Sequence, residues 1–178
     1  MKFALIDRIT ELEPGKRVVA VKAVSLAEEY LADHFATFPV LPGVLMLEAV
    51  VEGAVWLVRQ HEDFAHSFVL LKEARNVTYK SFVKPGQVLR IEVHCRQLAP
   101  DSSEFSGTGR CDDTEVVKAR FALRHFNLAD RDPGMAQADE RLVATARQRW
   151  ALIAGRGVPQ PERRGVSRGS GQAKCKTE

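Results

Sequence analysis

Apolar residues fill nearly every position between Val44 and Arg59, where only Glu48, Glu52, Gly53 and Arg59 break the run. A helix apolar almost all round is enclosed on most sides. At about 1.5 Å per residue it spans roughly 24 Å, long enough to lie across a sheet and short for a membrane crossing. Beyond it the period changes to two. In "QVLRIEVHCRQL" (87–98), Leu89, Ile91, Val93 and Cys95 alternate with Val88, Arg90, Glu92, His94 and Arg96, the pattern of a strand packed on one face.

Further strands are predicted at 67–83, 104–111 and 115–126, with "APDSS" and "DDT" as turns. "RVVAVKAV" (17–24) follows a Pro14–Gly15 turn and reads as another strand, whereas "ALIDRITEL" (4–12) fits a strand or a short helix equally well. The sum is an α+β layer: an antiparallel meander with the helix on its concave face. His94 and His125 are expected on solvated strand faces. His61 and His66 flank a loop after the helix, without a zinc spacing such as HExxH. No metal and no cofactor are required.

Residues 1–130 are read as one domain. From 131 to 155 the pattern predicts an amphipathic helix, with Leu142, Ala146, Trp150 and Ile153 at helical spacings. It either docks on the body or serves a partner. Residues 156–178, rich in Gly, Ser, Arg and Pro, are expected to be a disordered basic tail.

Charge and cysteines narrow the function classes. The net charge is +3, yet residues 156–178 alone carry +4, so the body is close to neutral. The sequence therefore gives little support to nucleic-acid binding. Cys95, Cys111 and Cys175 form no CxxC pair and suit reduced thiols in a cytoplasmic protein. "MKFALIDRITEL" is broken by Asp7 and Arg8 and does not read as a signal peptide. No apolar run is long enough for a membrane span.

The candidate chemistry lies in "HFATFPVLPGVLMLEAVVE" (34–52). Pro42–Gly43 precedes the helix, so free N–H groups and the positive end of the helix dipole face outward there, a site for developing negative charge. Glu48 and Glu52 are four apart and share a helix face. An apolar setting raises a carboxyl pKa, which would keep Glu48 poised as an acid. A histidine base, an oxyanion donor and a carboxylic acid together suit proton removal alpha to a thioester carbonyl with loss of hydroxide from the beta carbon.

The same stretch resembles the signature of the 3-hydroxyacyl-acyl-carrier-protein dehydratases of fatty acid synthesis, in which His-Phe is followed by Pro, by Pro-Gly-Val-Leu and by Glu-Ala. "LIDRITELEPGKRVVAVKAVS" and "YKSFVKPGQVLRIEV" extend the likeness over about residues 4–126. The resemblance implies the hot-dog fold, an antiparallel sheet wrapped around a long central helix. It implies His34 and Glu48 as the catalytic pair, and the Gly43 amide as oxyanion donor. Phe35, Pro42 and Val44 join Gly43 as oxyanion- or substrate-binding positions, with Glu52 close behind Glu48. The implied partner is acyl carrier protein bearing a 3-hydroxyacyl chain, and the implied assembly is a homodimer or a hexamer built as a trimer of dimers. Three features depart from the family pattern. Ala36–Thr37 stand where Pro-Gly is usual, Glu52 replaces a usual Gln, and the chain runs on past the usual end. Two rival functions on the same fold are acyl-thioester hydrolysis and non-catalytic acyl binding or assembly.

Overall fold

The computed structural model describes residues 4–35, 37–156 and 158. Strands β1 (Arg8–Glu13) and β2 (Arg17–Ala23) open the chain, followed by the four-residue helix α1 (Tyr30–Asp33) and the long helix α2 (Gly43–His61). Then come β3 (Phe68–Tyr79), β4 (Val88–Leu98), β5 (Ser102–Cys111), β6 (Thr114–Phe126), two short 3-10 turns, and helix α3 (Ala136–Ile153). All six strands form one antiparallel sheet in the order β1-β2-β4-β5-β6-β3. This is the α+β hot-dog arrangement the sequence predicts, with "ALIDRITEL" resolved as mostly strand. The predicted helix at 44–59 gains a residue at its start and two at its end. The predicted helix within 131–155 is α3. Of the disordered tail expected over 156–178, Val158 is instead buried against the core, and residues 157 and 159–178 lie outside the described residues.

The core sits between α2 and the sheet. Ala49, Val50, Ala54, Leu57 and Val58 of the helix meet Val18, Ala20, Leu89, Ile91, Val93 and Phe121 of the strands, all buried. Helix and sheet approach closely because β5 presents Gly107 beneath Val50. A Cβ there would lie 2.3 Å from Val50 Cγ1.

The two sheet edges differ. The stretch after α3 covers β1: Ile9 bridges Ala154, and the Gly155 amide donates to the Ile9 carbonyl at 2.9 Å. At the other end β3 has only β6 as a neighbour, leaving twelve mostly exposed residues with Leu70, Leu71 and Tyr79 among them. A long open edge of this kind is a template for pairing.

Helix α3 packs across the second half of α2. Trp150 is fully buried, with its ring centroid 6.0 Å from that of Trp56 and 6.4 Å from that of Phe64. Asp139 fastens the start of α3, accepting hydrogen bonds from the amides of Leu128 (3.0 Å) and Ala129 (2.8 Å) and from Ser67 Oγ. One expected contact is corrected. Leu142 is 39% exposed, and Val143 packs on the core instead, because the helix is rotated to aim Trp150 and Asp139 inward.

Candidate active site

His34 follows α1, and its backbone amide closes that short helix on the Tyr30 carbonyl at 3.2 Å. Its Nδ1 lies 2.9 Å from the Val40 carbonyl. A carbonyl only accepts, so Nδ1 carries the proton and Nε2 of the neutral ring keeps its lone pair, the form a general base needs. The chain turns at Phe35, whose φ of 60° is unusual for a residue with a side chain, and the Phe35 ring packs against the imidazole at 4.4 Å between centroids. Further along, two contacts tie the loop to the β3–β4 connection: the Leu41 amide donates to the Val83 carbonyl at 2.8 Å, and Phe38 meets Phe82 edge-on.

Pro42 ends this loop as the N-cap of α2. The Leu45 and Met46 amides both turn back to the Pro42 carbonyl. The amides of Gly43 and Val44 have no acceptor among the described residues, so two N–H groups point out at the positive end of the helix dipole. The Tyr79 ring lies over Gly43, so that a Cβ at position 43 would stand 3.3 Å from it. Val44, 69% exposed, and Glu48 share the helix face that the single chain leaves open.

The two glutamates, though on one helix, sit in different environments. Glu48 is exposed in the single chain and has no hydrogen-bond or ion-pair partner among the described residues. Its carboxyl is nonetheless held above the usual carboxylate range, first by partial desolvation on the apolar helix and then by the charge of Glu52. Glu52, with a side chain only 12% exposed, is the enclosed one. Its Oε2 accepts from the Leu5 and Ile6 amides at 2.8 and 3.2 Å, and its Oε1 accepts from Trp56 Nε1 at 3.3 Å and Arg149 at 2.5 Å. Arg149 comes from α3, 97 residues further on, and nothing local in the sequence announces it.

The sequence matches the FabA-like domain family over residues 1–120. The chain belongs to the FabA-like family. Among its curated relatives is the 3-hydroxyacyl-[acyl-carrier-protein] dehydratase of Geobacillus sp. (strain WCH70), 42% identical over 130 residues, which cover 72% of this chain and 87% of that one. The dehydratase of the same name from Symbiobacterium thermophilum is 43% identical over 128 residues, 72% of this chain and 88% of that one. Among solved structures, the dehydratase heterocomplex ApeI:P from Xenorhabdus doucetiae matches with a TM-score of 0.60 at 20% identity, covering 71% of this chain and 85% of that one. Cj0977, a virulence protein from Campylobacter jejuni, matches at 0.52 and 11% identity, covering 70% and 87%. At such identities the structures establish the fold alone. The relatives establish the FabA-like family and the dehydratase line within it.

Away from this FabA-like site, one histidine is corrected. His125 is 1% exposed rather than solvated. On β6 the buried residues Val117, Ala119, Phe121 and Leu123 alternate inward, and continuing that parity would have placed His125 inside. Its Nδ1 meets Glu62 at 3.0 Å, its Nε2 meets Ser103 Oγ at 2.8 Å, and His66 Nδ1 approaches the other Glu62 oxygen at 2.7 Å. These three side chains group as metal ligands would, but both ring nitrogens of His125 already have protein partners. The cluster closes on itself and pins the end of α2 to the sheet. His94 stays on the exposed face, as expected. Cys95 and Cys111 are free thiols on their strands. No helix among the described residues is long and apolar enough to cross a membrane.

Proposed function

We propose that this chain dehydrates (3R)-3-hydroxyacyl thioesters, carried on acyl carrier protein, to trans-2-enoyl thioesters with release of water. It is a hydro-lyase of the dehydratase line of its family. Nε2 of His34 takes the proton alpha to the thioester carbonyl. The negative charge that develops on the carbonyl oxygen is received by the Gly43 and Val44 amides, which need no rearrangement to accept it. Glu48, protonated, gives its proton to the beta hydroxyl, which leaves as water while the carbon–carbon double bond forms. Phe35 and Pro42 line the approach. The observation that carries this reading is the juxtaposition on α2 of two free amides with a carboxyl one turn away that has no partner among the described residues and is raised above the usual carboxylate range by desolvation and by Glu52.

The site is completed by a second copy of the chain. In the single chain no hydrogen bond or ion pair joins His34 to Glu48. The open β3 edge and the exposed apolar side chains of Val44, Phe38, Phe82 and Leu70 lie on the elements that carry these two residues or adjoin them. Pairing two sheets through β3 would cover Val44 and Glu48 and bring His34 of one copy to Glu48 of the other. The assembly is thus a homodimer, or a hexamer built from three of them, working in the cytoplasm where its cysteines stay reduced.

The test is an assay of purified protein with 3-hydroxyacyl and 2-enoyl thioesters of several lengths, on acyl carrier protein and on coenzyme A. The reading predicts interconversion of the two on acyl carrier protein, abolished in His34→Ala and in Glu48→Gln. Release of free thiol from acyl thioesters without enoyl product would assign the chain to thioester hydrolysis instead. Binding without turnover would make it a non-catalytic acyl-binding or assembly protein.

A further inference from the structure

Two of this chain's departures from the dehydratase pattern meet in one contact. Where the pattern has an uncharged Gln, Glu52 brings a carboxylate. Where the family match stops, at residue 120, this chain continues into α3. Arg149 of α3 joins the two, with Nη2 2.5 Å from Glu52 Oε1 and its guanidinium over the Trp56 ring at 5.6 Å. The Leu5 and Ile6 amides and the Trp56 indole complete the shell. Four donors, one of them a cation, hold Glu52 as an oriented anion.

Glu48 stands one helical turn earlier on α2. Within the described chain Glu52 is the charged group that acts on it, and Arg149 is the cation paired with Glu52. The order Arg149, Glu52, Glu48 is therefore a relay of charge from the added helix to the proposed acid.

We propose that Arg149 is a positioning residue for the dehydration: by pairing with Glu52 it sets how much negative charge bears on Glu48, which makes α3 part of the catalytic apparatus. The inference rests on the dehydratase reading above. It has a signature that a merely structural ion pair lacks. Breaking a structural pair from either side harms the protein in the same direction. Here the two sides act oppositely, because Arg149→Gln leaves the Glu52 charge uncompensated and discourages ionisation of Glu48, whereas Glu52→Gln removes the charge and eases it.

The experiment has two readouts. The first is the pH–rate profile of the full-length enzyme on a 3-hydroxyacyl thioester. The reaction needs a neutral imidazole and a protonated carboxyl, and where the carboxyl titrates below the imidazole the acid limb follows the carboxyl. The expected shift of that limb is about 0.5–1 pH unit downward in Glu52→Gln and a similar amount upward in Arg149→Gln, from one unit charge a helical turn away, where Cβ atoms lie about 5–6 Å apart, in a largely aqueous dielectric. Arg149→Lys should keep the limb near its wild-type position. The second readout is the carbon-13 NMR titration of the Glu48 carboxyl, assigned by its loss in Glu48→Gln, which needs no turnover. Opposite shifts in both readouts support the proposal, and shifts of the same sign, or none, overturn it. If NMR shows opposite shifts but the wild type does not dehydrate, the dehydratase reading has failed, and the role in catalysis with it, while the charge relay stands. Should Arg149→Gln not fold, the double variant Glu52→Gln/Arg149→Gln, which buries no lone charge, removes both charges, and its limb should lie above that of Glu52→Gln and back toward the wild-type position. A limb in that variant equal to that of Glu52→Gln, showing that the Arg149 charge has no bearing on Glu48, overturns the proposal.

Discussion

Replacing Trp150 with Ala tests whether α3 is an integral layer of the fold. The indole is fully buried between Trp56, Phe64 and the core, and truncating such a side chain costs about 3–5 kcal/mol in lost burial and residual cavity. Its Nε1 has no hydrogen-bond partner among the described residues, so the native residue already carries a desolvation penalty that the variant escapes, which favours the lower half of that range. At about 2–4 °C per kcal/mol for a chain of this size, the melting temperature should fall by roughly 6–16 °C. Leu142→Ala is the internal control: the residue is 39% exposed and the substitution should change stability by about 0.5 kcal/mol or less. Urea melts at equal protein concentration, followed by circular dichroism, give both values. The reasoning is refuted if Trp150→Ala costs under about 1 kcal/mol, or if Leu142→Ala costs as much as Trp150→Ala.

Three further outcomes follow from the same contacts. Gly107→Ala places a methyl 2.3 Å from Val50 Cγ1 and should destabilise by about 1–3 kcal/mol as α2 is pushed from the sheet; an unchanged melt would show that the helix has room there. Burial tends to raise the Glu62 carboxyl, but hydrogen bonds from His125 and His66 outweigh it and hold the group below the usual range. Its contribution is thus present above about pH 4.3, the ordinary carboxyl value, and is lost as pH falls through the folded value. Glu62→Gln should therefore melt lower at neutral pH and lose less between pH 5 and pH 3 than the wild type, in thermal melts across that range; parallel curves would contradict this. Deleting residues 159–178, which carry few apolar groups, should leave rate and melting temperature nearly unchanged, and a loss of several degrees would show that the segment docks.

Much of this was legible in the sequence because it is local. The all-apolar run of α2 and the alternation of β4 are periodic signals, and the Pro42–Gly43 start of the helix is a backbone signal that needs no knowledge of the rest of the chain. What escaped depends on distant partners. Two carboxyls on one helix face look alike in sequence, and only the arrival of Arg149 and of the amides of Leu5 and Ile6 makes Glu52 the enclosed one and leaves Glu48 open. His125 was misread for another reason. Histidine is read as polar by default, although the β6 parity pointed inward and Glu62 and Ser103 waited to satisfy both its nitrogens. Leu142 and Val143 are adjacent on α3, and choosing between them requires the rotation of the helix, which Trp150 and Asp139 fix.

The central claim is that His34 of one copy and Glu48 of another serve one site, and mixing His34→Ala with Glu48→Gln tests it most directly. Each variant alone should be nearly inactive. After subunit exchange, verified by native mass spectrometry, half the dimers are hybrids, and in each hybrid one site carries both substitutions while the other carries neither. The account predicts recovery to about a quarter of wild-type activity, as a twofold symmetric pair requires. Hybrids that form and remain inactive would contradict it.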